Sequence, residues 1–174
     1  MIVMSLARIS GLVYVITFVS GTLALLMPTG RLFTNLIAAV SYVAVTVLFY
    51  FLFKPVNRGV SLLAAAVSLT GCVISVLITM RLISLPINPL VFFGIYCVLI
   101  GYLVYNSTYL PRAIGVLMMF GGVGWLTFAV PSLAAALSPY NFGPGIIAEG
   151  VLTLWLVIAG VNQQRWATMT EGAR

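Results

Sequence analysis

Prolines divide this chain into apolar runs. A proline inside a helix removes a backbone hydrogen bond and clashes with the preceding turn. All eight, at 28, 55, 86, 89, 111, 131, 139 and 144, fall between or at the edges of apolar stretches. The uninterrupted runs cover residues 9–27, 33–53, 60–80, 90–106, 113–130 and 146–161. A helix needs about 20 apolar residues to cross the roughly 30 Å hydrocarbon core of a bilayer, with about 17 as the lower limit. The pattern therefore predicts six transmembrane helices, the fourth and sixth short as drawn and extended a few residues into their loops. Between them lie helix breakers: Pro28-Thr29-Gly30, Lys54 to Gly59, Pro86-Ile87-Asn88-Pro89, Asn106-Ser107-Thr108 and the longest connector, Pro131 to Gly145. Connections this short force neighbouring helices to run antiparallel. The fold expected is all-α, a compact bundle of six transmembrane helices forming one integral membrane domain over residues 1–174. The first run is read as a retained helix because it is too long for a signal-peptide core and lacks a small-x-small cleavage site followed by a soluble domain.

Composition then removes most soluble-enzyme chemistry. Only 6% of the residues are charged, against about 25% in an ordinary soluble domain. There is no His and no Asp, and the reactive inventory reduces to Glu149, Glu171, Lys54, Cys72 and Cys97. Metal sites draw three or four ligands from His, Cys and carboxylates. No metal or haem site is readable, and the sequence names no cofactor. A Ser-His-Asp triad or a carboxylate dyad lacks its parts. The formal charge of +6 comes from basic residues dispersed singly at segment ends, which is not a nucleic-acid patch. Arg8, Lys54, Arg58, Arg112, Arg165 and Arg174 fall on one side of the six-span topology, Arg31 and Arg81 on the other. Basic residues are retained on the cytoplasmic face, so both termini are expected there.

Several stretches carry a family resemblance: Ala7-Arg8-Ile9-Ser10-Gly11-Leu12-Val13-Tyr14, Leu52-Phe53-Lys54-Pro55-Val56-Asn57-Arg58 and Val91 to Leu103. To these add Tyr109-Leu110-Pro111-Arg112-Ala113-Ile114-Gly115, and Pro144-Gly145 with Glu149, Leu154-Trp155-Leu156 and Gly160-Val161-Asn162. Together they resemble the bacterial membrane family called domain of unknown function 4386. The resemblance covers most of the chain. It implies an integral membrane protein with cytoplasmic termini, expected in a bacterial inner membrane, and brings no established activity.

Glu149 is the sharpest candidate for function. An ionisable group at the centre of a span costs about 2.5–3.5 kcal/mol on insertion scales and faces the bundle interior. It lies about one turn into the sixth run, and Thr153, Leu156 and Gly160 share its helical face. Arg31, Asn35, Arg81 and Asn88 fall at the same end, so Glu149, Arg31, Arg81, Asn35 and Thr153 form a candidate polar cluster whose geometry allows a Glu149–Arg pair. In the second helix Asn35, Ala39, Tyr42, Thr46 and Phe49 make a partly polar stripe, either lining a cleft with Glu149 or satisfied between helices. Two roles stay open for Glu149: a proton or cation site in an outer cavity, or a charge that pins helix ends together.

The third helix carries a small-residue face, Ala64, Ser68, Gly71 and Ser75, with Cys72 beside it. Such faces let membrane helices approach closely. Packing inside the bundle is the default, and docking of membrane-protein partners is the alternative. Cys72 and Cys97 lie at similar depths and read as ordinary buried thiols. Gly121-Gly122-Val123-Gly124 has no phosphate-binding frame and reads as a kink or a close backbone contact. The tail from Asn162 reads as an interfacial anchor followed by a frayed terminus. The expectation is a non-enzymatic membrane protein, an accessory or structural subunit or a binder of apolar ligands. The alternative is a small transporter or permease using Glu149. Its partners would be the lipid bilayer, membrane proteins through the third helix and an apolar ligand, with no nucleic acid.

Overall fold

The chain is described by a computed structural model covering residues 2–26 and 31–172, the side chains of Ile2, Leu25, Leu26 and Arg31 excepted. The helices are α1 (Ile2–Leu26), α2 (Arg31–Phe53), α3 (Arg58–Thr79), α4 (Leu90–Asn106), α5 (Arg112–Leu126), α6 (Pro131–Leu137), α7 (Phe142–Ile158) and α8 (Gln163–Gly172). A single 3-10 turn, Thr127–Ala129, follows α5. Among the described residues there is no strand. Helices α1, α2 and α3 are long and apolar enough to span a bilayer, as is α5 with its 3-10 extension, while α4 and α7 have 17 residues each. Their outward faces carry Leu12, Val40, Leu62, Phe120 and Ile158, all exposed. Apolar surface on every side is what lipid, not water, accepts.

Six of the helices close into a ring. Each packs on its neighbour in the order α1, α2, α3, α4, α5, α7, and α7 returns to α1. The middle is filled by large side chains, among them Tyr14, Phe49, Tyr96, Ile100, Met118 and Leu152, each at most 2% exposed. One end of the ring holds the α3–α4 connection and Arg81. The other holds the α2–α3 connection and Lys54.

Lipid removes the hydrophobic drive between helices, so their approach depends on small residues and buried hydrogen bonds. The tightest seam joins α4 to α5, where Gly94 faces Gly122 and Gly101 faces Gly115. A Cβ added to Gly101 would stand 2.7 Å from the Gly115 carbonyl oxygen, and one on Gly122 would stand 2.7 Å from that of Gly94. Gly121 meets α7 instead, against Ala148 and the Pro144 carbonyl. The small-residue face of α3 is spent inside the ring: Ser68 is hydrogen-bonded to Thr46 of α2 at 2.6 Å, Ser61 donates to the Tyr50 carbonyl at 3.3 Å, and Gly71 backs onto Phe92 of α4.

Several boundaries differ from the sequence reading, each for a local reason. The first helix begins at Ile2, not residue 9, because Ile2, Val3, Met4 and Leu6 extend the apolar run and Arg8 stays exposed on its surface. The stretch 131–145 is not one long loop. Pro131 opens α6, and α6 meets α7 at an angle of 80°. Gly143, Pro144 and Gly145 lie in the first turn of α7, where N–H groups have no intrahelical partner and proline is tolerated. That helix therefore begins at Phe142, four residues before the apolar run at 146, in the direction the short run implied. It ends at Ile158, and Gly160 adopts φ +67° just beyond, with its N–H bonded to the Trp155 carbonyl. The tail is helical. Asn162 accepts from the Arg165 N–H, and the Trp166 indole donates to the Leu52 carbonyl at 3.0 Å. Tyr109 donates to the same oxygen at 2.8 Å. Carbonyls at the end of α2 have no partner within their own helix, and these two side chains supply it.

Candidate functional site

Glu149 sits seven residues beyond the start of α7, about 10 Å along its axis, and is only 8% exposed. Three neighbouring helices deliver donors to it. The Tyr14 hydroxyl of α1 donates to Oε2 at 2.7 Å, the Trp125 indole of α5 donates to Oε1 at 2.7 Å, and the Cys97 thiol of α4 donates to Oε1 at 3.5 Å. Two glycines make this convergence possible. Gly145, one turn before Glu149, is covered by the Trp125 ring, which any side chain there would displace. Gly11, one turn before Tyr14, brings α1 against α7; a Cβ on it would lie 2.8 Å from Val157. Tyr14 is fixed further by edge-on contacts with Tyr42 and Phe49, at centroid distances of 5.8 and 5.7 Å.

Of the two arginines that fall at this end in the sequence, Arg81 is not among the partners of Glu149. Among the described residues no cation bonds to Glu149, and neutral donors take the place of one. Arg81 is exposed just past the end of α3 in a left-handed conformation, φ 58°. The side chain of Arg31 lies outside the described residues. Asn35 donates to Thr79 across α2 and α3, which leaves it beside the cavity described next. Thr153 is buried one turn beyond Glu149, and its hydroxyl has no hydrogen-bond partner. Sequence reasoning missed Tyr14, Trp125 and Cys97 as partners of Glu149. The available signal was Gly145, which stands four residues before the carboxylate and vacates the space for a large ring.

Above Glu149, toward the Arg81 end, the ring leaves a partly open cavity of about 200 Å³ between α1, α2, α3, α4 and α7. Its walls are mostly apolar, with Phe18, Ala39, Phe93 and Ile146 among them. Its polar groups include those of Glu149, Trp125, Tyr42, Asn35 and Ser75, with the hydroxyls of Thr17 and Thr22 beside them. Asn35 and Tyr42 of α2 and Glu149 of α7 thus line one space. Tyr42 is 7% exposed and its hydroxyl is unpartnered. Toward the Lys54 end the ring is packed by Phe49, Leu52, Phe53, Leu103 and Leu156. Cys72 lines the cavity, and both cysteines are free thiols. Among the described residues no group of His, Cys and carboxylates gathers to hold a metal.

The comparisons with known proteins fall on this same region. A family model described as Domain of unknown function (DUF4386) matches residues 87–160, the stretch that supplies Cys97, Trp125 and Glu149. An uncharacterised protein of Archaeoglobus fulgidus is 32% identical over 130 residues, covering 68% of this chain and 76% of the relative. No solved structure matches the chain. The identity to the archaeal relative extends well beyond the stretch matched by the family model, and on that shared sequence the chain belongs to the DUF4386 family.

Proposed function

We propose that the protein is a non-enzymatic binder of small, mainly apolar molecules, which it holds inside the membrane in the cavity above Glu149. One observation carries this reading: a largely apolar cavity whose base presents a buried carboxylate and, on Tyr42, an unpartnered hydroxyl. Ligand sites in proteins have this composition, an apolar wall with a few placed polar groups. A buried hydroxyl without a partner is costly, and a ligand would relieve that cost. The chemistry for turnover is thin, because the thiol beside Glu149, on Cys97, donates to it from outside the cavity wall, and among the described residues no second carboxylate stands near. In the orientation favoured by the basic residues of the Lys54 end, the cavity faces away from the cytoplasm.

A second reading, a small transporter using Glu149 as a proton or cation site, is favoured by the lack of a cationic partner for Glu149 among the described residues. The packed half of the ring below Glu149 supports binding over passage. Mild-detergent extraction followed by native mass spectrometry and an absorption spectrum tests both. A stoichiometric small molecule retained by the protein, and lost in Glu149→Gln, supports the binder. A stoichiometric protein partner instead would favour an accessory subunit. Proton-linked flux in vesicles that Glu149→Gln abolishes would favour the transporter.

A further inference from the structure

The composition of the cavity walls narrows the ligand class, on the reading that the cavity binds small molecules. An ionised carboxylate has roughly four lone-pair sites. Tyr14, Trp125 and Cys97 occupy three of those on Glu149, which leaves one acceptor position without a donor. Each of those three donors is uncharged, so the negative charge of an ionised Glu149 has no counter-charge among the described residues around it. Tyr42 adds an unpartnered hydroxyl on the same cavity, on a side chain only 7% exposed. Around the carboxylate and this hydroxyl stand aromatic rings. Phe18, Phe93 and Trp125 line the cavity with Tyr42, and Phe93 lies 4.8 Å from the Tyr42 ring. Aromatic faces attract organic cations by 0.5–2 kcal/mol, roughly, the upper end applying where water is excluded.

We propose that the cavity binds an organic ammonium: a small apolar body bearing one protonated amine, whose N–H groups reach Glu149 and Tyr42 while aromatic rings surround the charge. A bare metal cation fits less well, since a single carboxylate is the one charged ligand on the walls and no group of His, Cys and carboxylates gathers among the described residues. Size sets the body. A dry cavity of about 150 Å³ takes up benzene, so the about 200 Å³ here suits one ring with a short aminoalkyl arm. The ammonium could equally be the headgroup of a membrane lipid reaching into the cavity mouth.

The test uses the full chain in phosphatidylcholine nanodiscs, with Trp155→Phe and Trp166→Phe so that fluorescence reports Trp125 alone. Phenethylammonium is titrated against propylbenzene, which replaces the ammonium by a methyl group at nearly constant shape. The expected result is at least tenfold tighter binding of phenethylammonium, with the preference falling to within about twofold in Glu149→Gln. Tyr42→Phe should weaken the amine and leave propylbenzene unchanged. Equal binding of the two ligands overturns the ammonium assignment while leaving the cavity as a binder of apolar molecules. No response to either ligand overturns both. The comparison of the two ligands on the protein with Glu149 intact decides the matter even where Glu149→Gln does not fold. Nanodiscs containing phosphatidylethanolamine separate the sources: competition with phenethylammonium assigns the lipid headgroup, and unaltered amine binding assigns a free amine.

Discussion

Trp125 reaches Glu149 across Gly145, its indole nitrogen 2.7 Å from Oε1 and its ring lying where a side chain at 145 would be. The hydrogen bond exists because the glycine is there. A membrane helix containing a carboxylate needs that group satisfied from inside the bundle, and here a ring from α5 enters the gap that α7 leaves for it.

Gly145→Ala should therefore act on Glu149 at a distance. The new methyl group displaces the indole, and overpacking of this kind costs about 1–3 kcal/mol. Trp125→Phe should approach the same loss without crowding, because a hydrogen bond to a charged group contributes about 1.5–3 kcal/mol. Thermal unfolding in detergent measures both. The double variant should cost less than the sum of the two, since each removes the same contact; full additivity would separate Gly145 from the indole.

The order of the long helices is legible in the sequence because bilayer thickness and proline placement are written in one dimension, but four of them, or five with the bent α6–α7 pair, are long and apolar enough to span, not six. Helix α4 was drawn from Leu90 to Asn106, as observed. The same logic failed at Pro144, which marks a break in sequence but sits harmlessly in the first turn of α7. For Glu149 the inward direction is legible from hydropathy, while its depth, about two turns into α7 instead of one, and its partners are not. Charge complementarity points to Arg31, whose side chain lies outside the described residues, and to Arg81, which stands just past the end of α3 at φ 58° with its side chain exposed; Tyr14 and Trp125 look in sequence like any aromatic packing or interfacial residues. Which of 21 aromatic side chains turns toward a carboxylate depends on ring closure between α1 and α7, a long-range contact that no local spacing encodes.

The α4–α5 seam offers a second test with an internal control. Gly101→Ala places a methyl group 2.7 Å from the Gly115 carbonyl oxygen, whereas nothing lies within 4 Å of a Cβ at Gly150. Gly101→Ala is expected to lower the unfolding midpoint through overpacking of about 1–3 kcal/mol. Gly150→Ala should hold or raise the midpoint, since alanine in a helix is favoured over glycine by about 0.5–1 kcal/mol. A seam that tolerated Gly101→Ala as well as Gly150→Ala would not depend on backbone contact.

The two thiols should differ in access although both are buried. Cys72 lines the cavity, while Cys97 points its sulfur at Glu149 from outside the cavity wall. A small reagent such as methyl methanethiosulfonate, applied to the folded protein, should modify Cys72 first by at least tenfold in rate, read by peptide mass spectrometry. Phenethylammonium should slow that reaction if it occupies the cavity. Equal rates at Cys72 and Cys97 would place the opening elsewhere.

Tyr109 ties the Lys54 end together, and its ionisation gives a pH signature. It lies in the α4–α5 connection, is 4% exposed and donates to the Leu52 carbonyl at 2.8 Å. Burial pushes its phenol well above the ordinary tyrosine range. The folded state therefore holds this proton more tightly than the unfolded chain, whose tyrosines ionise near pH 10, roughly. The sign follows from linkage: Tyr109 contributes fully below about pH 10, and its contribution declines as pH rises from there toward its folded value. Tyr109→Phe should lower stability at neutral pH by about 1 kcal/mol, the net worth of one hydrogen bond, and flatten the alkaline decline. Unfolding midpoints measured from pH 8 to pH 11, roughly spanning the unfolded tyrosine range, should converge for the two proteins as pH rises. Because Trp166 donates to the same carbonyl at 3.0 Å, Trp166→Phe should also destabilise at neutral pH, yet keep the full alkaline slope, for an indole has no proton to lose in this range. Parallel pH profiles for Tyr109→Phe and the unaltered protein would remove Tyr109 as the source of the decline.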